Sequence, residues 1–192
     1  MSLIMQFKES NSLNEVNLHL GCGGDNLDGW INIDLYDYDP SDTSRSGSNY
    51  DVKMDIKQLD LPDETADKIL LVHVMEHFVR WEAVSMLKHW YKKLKPGGAL
   101  IVETPDLDKC IEWYLKGKDA PHMKTPLGSL NMGFTQFYGN QWSEIDFETH
   151  RYVWTKQEFK SVLLEIGFSK VNITNDAKFH QRGRDLFSIA IK

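Results

Sequence analysis

Short apolar runs alternate along this chain with segments of helical periodicity, and that alternation leaves few architectures open. The apolar runs are Val16–Leu20, Ile31–Leu35, Val52–Met54, Ala66–Val74, Ala99–Thr104, Lys170–Thr174 and Leu186–Ile191, each of strand length. In Ala66–Val74 the run is nearly continuous, as in a strand covered on both faces. Trp81, Val84, Leu87, Tyr91 and Leu94 recur at spacings of three and four before Lys95-Pro96-Gly97-Gly98 ends the pattern, which predicts a helix and its stop. Leu107, Cys110, Ile111 and Tyr114 predict a second helix that Gly117 can close. Thr155 and Glu158 form a capping-box pattern ahead of Phe159, Val162, Leu163 and Ile166, with Gly167 at the C-cap, which predicts a third. Strands alternating with helices argue for an α/β fold whose sheet is mainly parallel and carries its crossovers on its faces. At 192 residues one domain with one core is expected.

Three stretches depart from this regularity. Between the first two strands lies only GGDNLDGW, residues 23–30, too short for a full crossover helix, so that helix is expected to shrink to a turn or two. Tyr36–Tyr50 is rich in Asp, Ser and Gly and reads as a surface loop. Phe134, Phe137, Tyr138, Trp142, Phe147, Tyr152 and Trp154 crowd a segment without clean periodicity. Residues 118–154 are therefore expected to form an insertion, read as a lid whose rings wall a pocket or as a satellite core that anchors it. Ser2 and Leu3 precede a second methionine, Met5, and carry no weight in the fold reading.

Composition narrows the function classes. The formal charge is −6 with no basic block, so a surface that tracks nucleic-acid phosphates is not expected. A small-molecule partner fits better. Two cysteines, Cys22 and Cys110, are too few for a disulfide framework and suggest a reducing, cytoplasmic setting. The opening apolar run is shorter than a signal peptide's, and no stretch approaches the roughly 20 apolar residues of a membrane span. The seven histidines are scattered, and the one i,i+4 pair, His73 and His77, straddles a strand end rather than one helix face, so no metal site is expected.

In an open parallel sheet a ligand binds at the carboxyl ends of the strands. Leu18–Gly24, LHLGCGG, puts glycines just after the first strand, where the missing side chains let a ligand approach the backbone N–H groups. Asp34 ends the second strand about a dozen residues later, where a carboxylate can accept hydrogen bonds from two ribose hydroxyls. The same pair of features suits a dinucleotide and an NAD(P)-dependent oxidoreductase. However, Asn26 stands where the GxGxxG pattern needs glycine, and the gap to the acid is well short of ~20 residues.

LHLGCGG followed by GWINIDL resembles the cofactor turn and ribose-binding acid of class I S-adenosylmethionine-dependent methyltransferases. MDIKQLDLPDETADKILLVHVMEHF, the Trp81 helix and LKPGGALIVETPD extend the likeness to the small-molecule, type 11-like members over Leu18–Asp106. A fainter likeness continues through the Thr155 helix, EIGF and the last strand, while Lys118–Thr149 has no counterpart. The resemblance implies a Rossmann-like three-layer sandwich, seven strands with the last one antiparallel, and S-adenosyl-L-methionine as methyl donor to a small-molecule acceptor.

It implies that Gly21, Cys22 and Gly23 line the methionine part of the cofactor and that Asp34 holds the ribose. Asp55 and Ile56 would flank the adenine, and His73 would lie near the sulfonium. Beyond that centre, His77, Glu76 and His150 are the candidate catalytic groups, since a base there can take the proton that methylation frees. Residues just before a helix also cap it or fix its turn, and in-line positioning alone can lower such a barrier by up to ~7–11 kcal/mol. Arg151 beside His150 could close over the substrate. With its first helix reduced, the chain also fits a cofactor-binding partner subunit without catalysis.

Overall fold

In the computed structural model, residues 1–36, 49–142 and 146–192 are described. Most of the loop expected at Tyr36–Tyr50 lies outside them. The central sheet comprises β1 (Asn17–Leu20), β2 (Ile31–Asp34), β3 (Val52–Lys53), β4 (Ala66–Val72), β5 (Leu94–Pro105), β8 (Lys170–Thr174) and β9 (Asp185–Ile191). Its order is β3-β2-β1-β4-β5-β9-β8. β3 through β5 pair in parallel. β9 runs antiparallel between β5 and β8. This is the Rossmann-like α/β sheet with an antiparallel last strand. The strand order reverses between β1 and β4, and their carboxyl ends open the ligand crevice of such a sheet.

Alternation along β1 and β2 explains the core. Leu18, Leu20, Ile31 and Ile33 are fully buried on one face, while His19 and Asn32, paired in register, point to the other. The first crossover, residues 21–30, contains turns and no helix, so the reduction goes further than expected. Asn32 holds this connection instead: its Oδ1 accepts from Leu27 N–H at 2.9 Å and its Nδ2 donates to Leu27 O at 3.3 Å. Asp51 Oδ2 in turn accepts from Asn32 N and Nδ2, each at 2.8 Å.

The helices are α1 (Leu3–Ser10), α2 (Arg80–Lys93), α3 (Leu107–Leu115), α4 (Met132–Tyr138) and α5 (Lys156–Ile166). α1 corrects the dismissal of the first residues: the Ser2 side chain caps it and Ile4 is fully buried in the core. α2 forms where expected, but its buried stripe is Ala83, Met86, Leu87 and Trp90, while Trp81 is 74% exposed. Trp90 wins the interior because its Nε1 can donate to Ile56 O at 2.9 Å, which satisfies the one polar group an indole must bury. In α3 only Cys110 is buried, and Ile111 and Tyr114 are exposed.

Before α5 only half of the capping box forms. Thr155 Oγ1 accepts from Glu158 N at 3.1 Å. The Glu158 carboxylate instead accepts from Tyr152 OH and Arg80 Nε, both at 2.7 Å, because charged and phenolic donors outcompete a backbone N–H.

The insertion has more regular structure than its spacing suggests. β6 (His122–Thr125) and β7 (Gly128–Asn131) form a hairpin that leads into α4. Asn131 caps α4 and its Nδ2 donates to Trp113 O at 3.2 Å, tying the insertion to α3. Its far end returns to the sheet, where Leu107 N donates to Trp154 O at 2.9 Å.

Candidate active site

The turn after β1 is built around two backbone demands. Gly21 has φ +66°, and a Cβ there would lie 2.7 Å from Val74 Cγ2, so neither the conformation nor the space admits a side chain. Gly23 N donates to Asp34 Oδ2 at 2.8 Å, while Asp34 Oδ1 accepts from Leu35 N at 2.7 Å and Tyr36 N at 3.2 Å. Glycine turn and strand-end acid are thus one hydrogen-bonded unit. Asp55 caps the 3-10 turn Ile56–Gln58 by accepting from Lys57 N at 2.9 Å.

These residues share the wall of a cleft of about 420 Å³. Of the residues singled out from sequence, Gly21, Gly23, Asp34, Asp55, Ile56, His73, His77 and Arg151 line it. Cys22, Glu76 and His150 do not. The Cys22 side chain turns inward, 4% exposed, and burial, reinforced by Asp34, pushes its thiol up to about 12. Val74, Phe78, Lys57, Glu82, Tyr36, Leu35 and Asp146 also line the cleft. None of Phe134, Phe137, Tyr138, Tyr152 and Trp154 does so. Phe134 and Tyr138 are exposed, and Trp154 is fully buried against Tyr152 and Phe159. Trp154 and Tyr152 thus pack with the main core, while Phe134 lies against Tyr114 and Tyr138 at the surface.

Behind the cleft floor lies a buried charge cluster. His73, at φ +52°, has Nδ1 2.7 Å from Glu76 Oε1 and Nε2 2.9 Å from Asp185 Oδ2. Burial would depress its pKa, but these two carboxylates raise it to about 9. Burial would raise Glu76; His73, with His77 and His150 nearby, holds it well below the usual carboxylate range. Asp185, also pushed up by burial, is held low by His180, His73 and Arg184. Arg184, 1% exposed, donates from Nη2 to Asp185 Oδ2 at 2.9 Å. Asp185, Arg184 and His180 lie more than a hundred residues beyond His73. No local spacing signals them, and only the β5–β9 pairing brings them together.

On the other side of Glu76, the end of the insertion folds back. Arg151 N donates to Glu76 O at 2.7 Å, which seats His150 against His77 with ring centroids 5.0 Å apart, edge to face. Glu76, His77 and His150, the three candidate catalytic groups read from sequence, thereby gather ligand-type atoms within 4.8 Å of one another across a gap of more than seventy residues. Burial lowers the pKa of His150.

The chain matches the methyltransferase domain family over residues 2–173, while no curated protein sequence matches it. It is similar in fold to an S-adenosylmethionine-dependent methyltransferase from Archaeoglobus fulgidus, with TM-score 0.57, 16% identity, and 99% and 93% of the two chains covered. A Thermotoga maritima methyltransferase described as a possible histamine N-methyltransferase gives TM-score 0.57 and 17% identity over 97% and 87%. One from Methanosarcina mazei gives 0.57 and 14% over 100% and 98%. With a glycine turn and acid joined at the crevice of this sheet, the chain belongs to the methyltransferase domain family and shares its fold with S-adenosylmethionine-dependent methyltransferases.

Proposed function

We propose that the protein transfers a methyl group from S-adenosylmethionine to a small molecule bound in the same cleft. The observation that carries this reading is the unit of Gly23 and Asp34, which lines one cleft together with Asp55 and Ile56. The donor set fits the cofactor. Asp34 and Asp55 retain acceptor lone pairs for ribose hydroxyls and an adenine amine, Ile56 offers an apolar face to the ring, and Gly23 leaves open space where a Cβ would stand. When bound, the sulfonium supplies an activated methyl group. Gly21 and Gly23 admit the methionine portion close to the backbone, and Val74 and Phe78 exclude water. Transfer also releases a proton from an O–H, N–H or S–H acceptor. Glu76, His77 and His150 are the groups assigned to the acceptor side, with His77 on the cleft wall and the other two behind it. The cleft's size lies in the small-ligand range, and the net charge of −6 argues against a polyanionic acceptor.

Calorimetry with S-adenosylhomocysteine is expected to give a micromolar or tighter dissociation constant and a raised thermal midpoint. No heat at millimolar ligand overturns the reading. A screen of small acceptors with labelled cofactor then tests transfer. Binding without turnover for any acceptor is the result expected of a catalytically silent partner subunit.

A further inference from the structure

We propose that Glu76, His77 and His150 form a binding site for a first-row divalent cation of the zinc or cobalt type at the acceptor end of the cleft. Three observations converge on it. The first is preset tautomers: His77 Nδ1 lies 3.3 Å from Thr149 O, and His150 Nδ1 lies 2.8 Å from Gln136 O. A ring whose Nδ1–H donates to a carbonyl presents its Nε2 lone pair outward, the arrangement that orients metal-bound imidazoles. The second is a carboxylate oxygen with spare capacity. Glu76 is 0% exposed, its Oε2 accepts from Thr104 Oγ1 at 2.9 Å, and its Oε1 accepts no hydrogen bond. That oxygen pairs with His73 Nδ1 at 2.7 Å, and an ionised carboxylate oxygen holding that single pair keeps a further lone pair for a cation.

The third is rigidity. Arg151 N and Tyr152 N both donate to Glu76 O, at 2.7 and 3.2 Å, and His150 N donates to Tyr138 O at 3.1 Å. Gly139 makes room: at φ +71° and ψ −154° it occupies a region open essentially to glycine alone. A Cβ on it would meet Glu148 O at 2.1 Å and the His150 ring at 2.8 Å.

A second cluster, His73, His180 and Asp185, has similar spacing but holds a guanidinium, a cation that cannot give up its proton. Arg184 Nη2 sits 2.9 Å from Asp185 Oδ2 and 3.3 Å from His180 Nδ1, and a metal there would face a buried guanidinium. Two imidazoles and one carboxylate suit a first-row transition ion better than magnesium or calcium. Three protein ligands leave a coordination position for a further group. The role of the ion, though not its binding, rests on the methyl-transfer reading. An acceptor heteroatom at that position loses its proton to solvent more readily. Its freed electron pair forms the bond to the methyl carbon, while the S–CH₃ bond breaks and its electrons return to the donor sulfur as a neutral thioether.

The test is a titration of chelator-treated, full-length protein with Co²⁺, followed by visible d–d absorption and by calorimetry without any cofactor. One saturating equivalent is expected, with affinity weakened at least about tenfold by Glu76→Gln and by His150→Gln, and unchanged by His180→Gln. If Glu76→Gln fails to fold, His150→Gln with an unaltered metal-free thermal midpoint carries the result. The absence of a saturable band in the parent protein overturns the proposal. So does an affinity that is unchanged in His150→Gln or weakened in His180→Gln. S-adenosylhomocysteine calorimetry on the same samples separates the two readings. A cobalt site without cofactor binding would sink the methyl-transfer assignment and leave the metal site standing.

Discussion

Asp34 is where a single side chain has most leverage on the proposed cofactor. Its oxygens already take three backbone N–H groups, and their remaining lone pairs are the ones assigned to the ribose. Hydrogen bonds to a charged group contribute about 1.5–3 kcal/mol each, so Asp34→Ala is expected to raise the S-adenosylhomocysteine dissociation constant at least about tenfold. Its partner N–H groups are solvent-accessible, so water can replace the carboxylate and the ligand-free thermal midpoint should move far less. Asp28→Ala, in the same connection, serves as the control. A folded Asp34→Ala that binds like the parent would place the ribose elsewhere.

His19 tests a different force. It is 3% exposed, and burial lowers its pKa below 6.5 against the opposing hydrogen bond to Asn32. Because the unfolded chain binds the proton more readily than the native one, this residue's contribution is fully present above pH 6.5 and is lost as the pH falls toward its folded value. Thermal midpoints measured from about pH 7.5 down to about pH 5.5 should therefore fall less steeply in His19→Gln than in the parent. An identical slope would remove His19 from the acid response.

Among the elements, the insertion of residues 118–154 stands apart. It contributes Arg151 and Asp146 to the cleft wall, with Arg151 Nη2 2.6 Å from Asp146 Oδ2, and its hairpin strands are mostly exposed or half-buried. Segments with few buried apolar contacts open at low free-energy cost. The proposed lid should thus exchange its amide hydrogens faster than β5 in the free protein and slow down when S-adenosylhomocysteine binds. Protection equal to that of β5, unchanged by ligand, would make it a static insertion. Its legibility was partial. Aromatic crowding marked the segment, but the hairpin and α4 were invisible because their register depends on Asn131 reaching back to α3.

For the whole molecule, Trp154 joins the insertion, α5 and the sheet. It is fully buried, packs on Tyr152 and Phe159 at centroid distances of 4.8 and 5.3 Å, and forms a bridge with Asp106. Trp154→Ala should cost about 3–5 kcal/mol. At about 2–4 °C of thermal midpoint per kcal/mol for a chain of this size, a drop of roughly 6–20 °C follows. Trp81→Ala, 74% exposed, should stay within about 0.5 kcal/mol of the parent. Equal losses would mean that the sequence-level stripe, rather than the observed one, packs against the sheet.

That contrast marks the boundary between what sequence and tertiary structure decide. Strand runs, the helix stop at Gly167, the glycine turn and the acid at Asp34 were legible because each follows from backbone sterics or periodicity within a few residues, whereas α2 ends at Lys93 and Gly97 lies in β5. The shortening of the first crossover was legible too, a matter of chain length alone, although not the complete loss of its helix. Which face of α2 turns inward depends on whether Trp90 finds a carbonyl at Ile56, a partner from another element. The pairing of Glu76 with His73 and Thr104, the seating of His150 over His77, and the arrival of Arg184 and Asp185 beneath the cleft all cross large sequence gaps. Their positions are set by the parallel sheet order and by β9 inserting between β5 and β8, and only the closed core holds those charges close enough to shift one another's protonation.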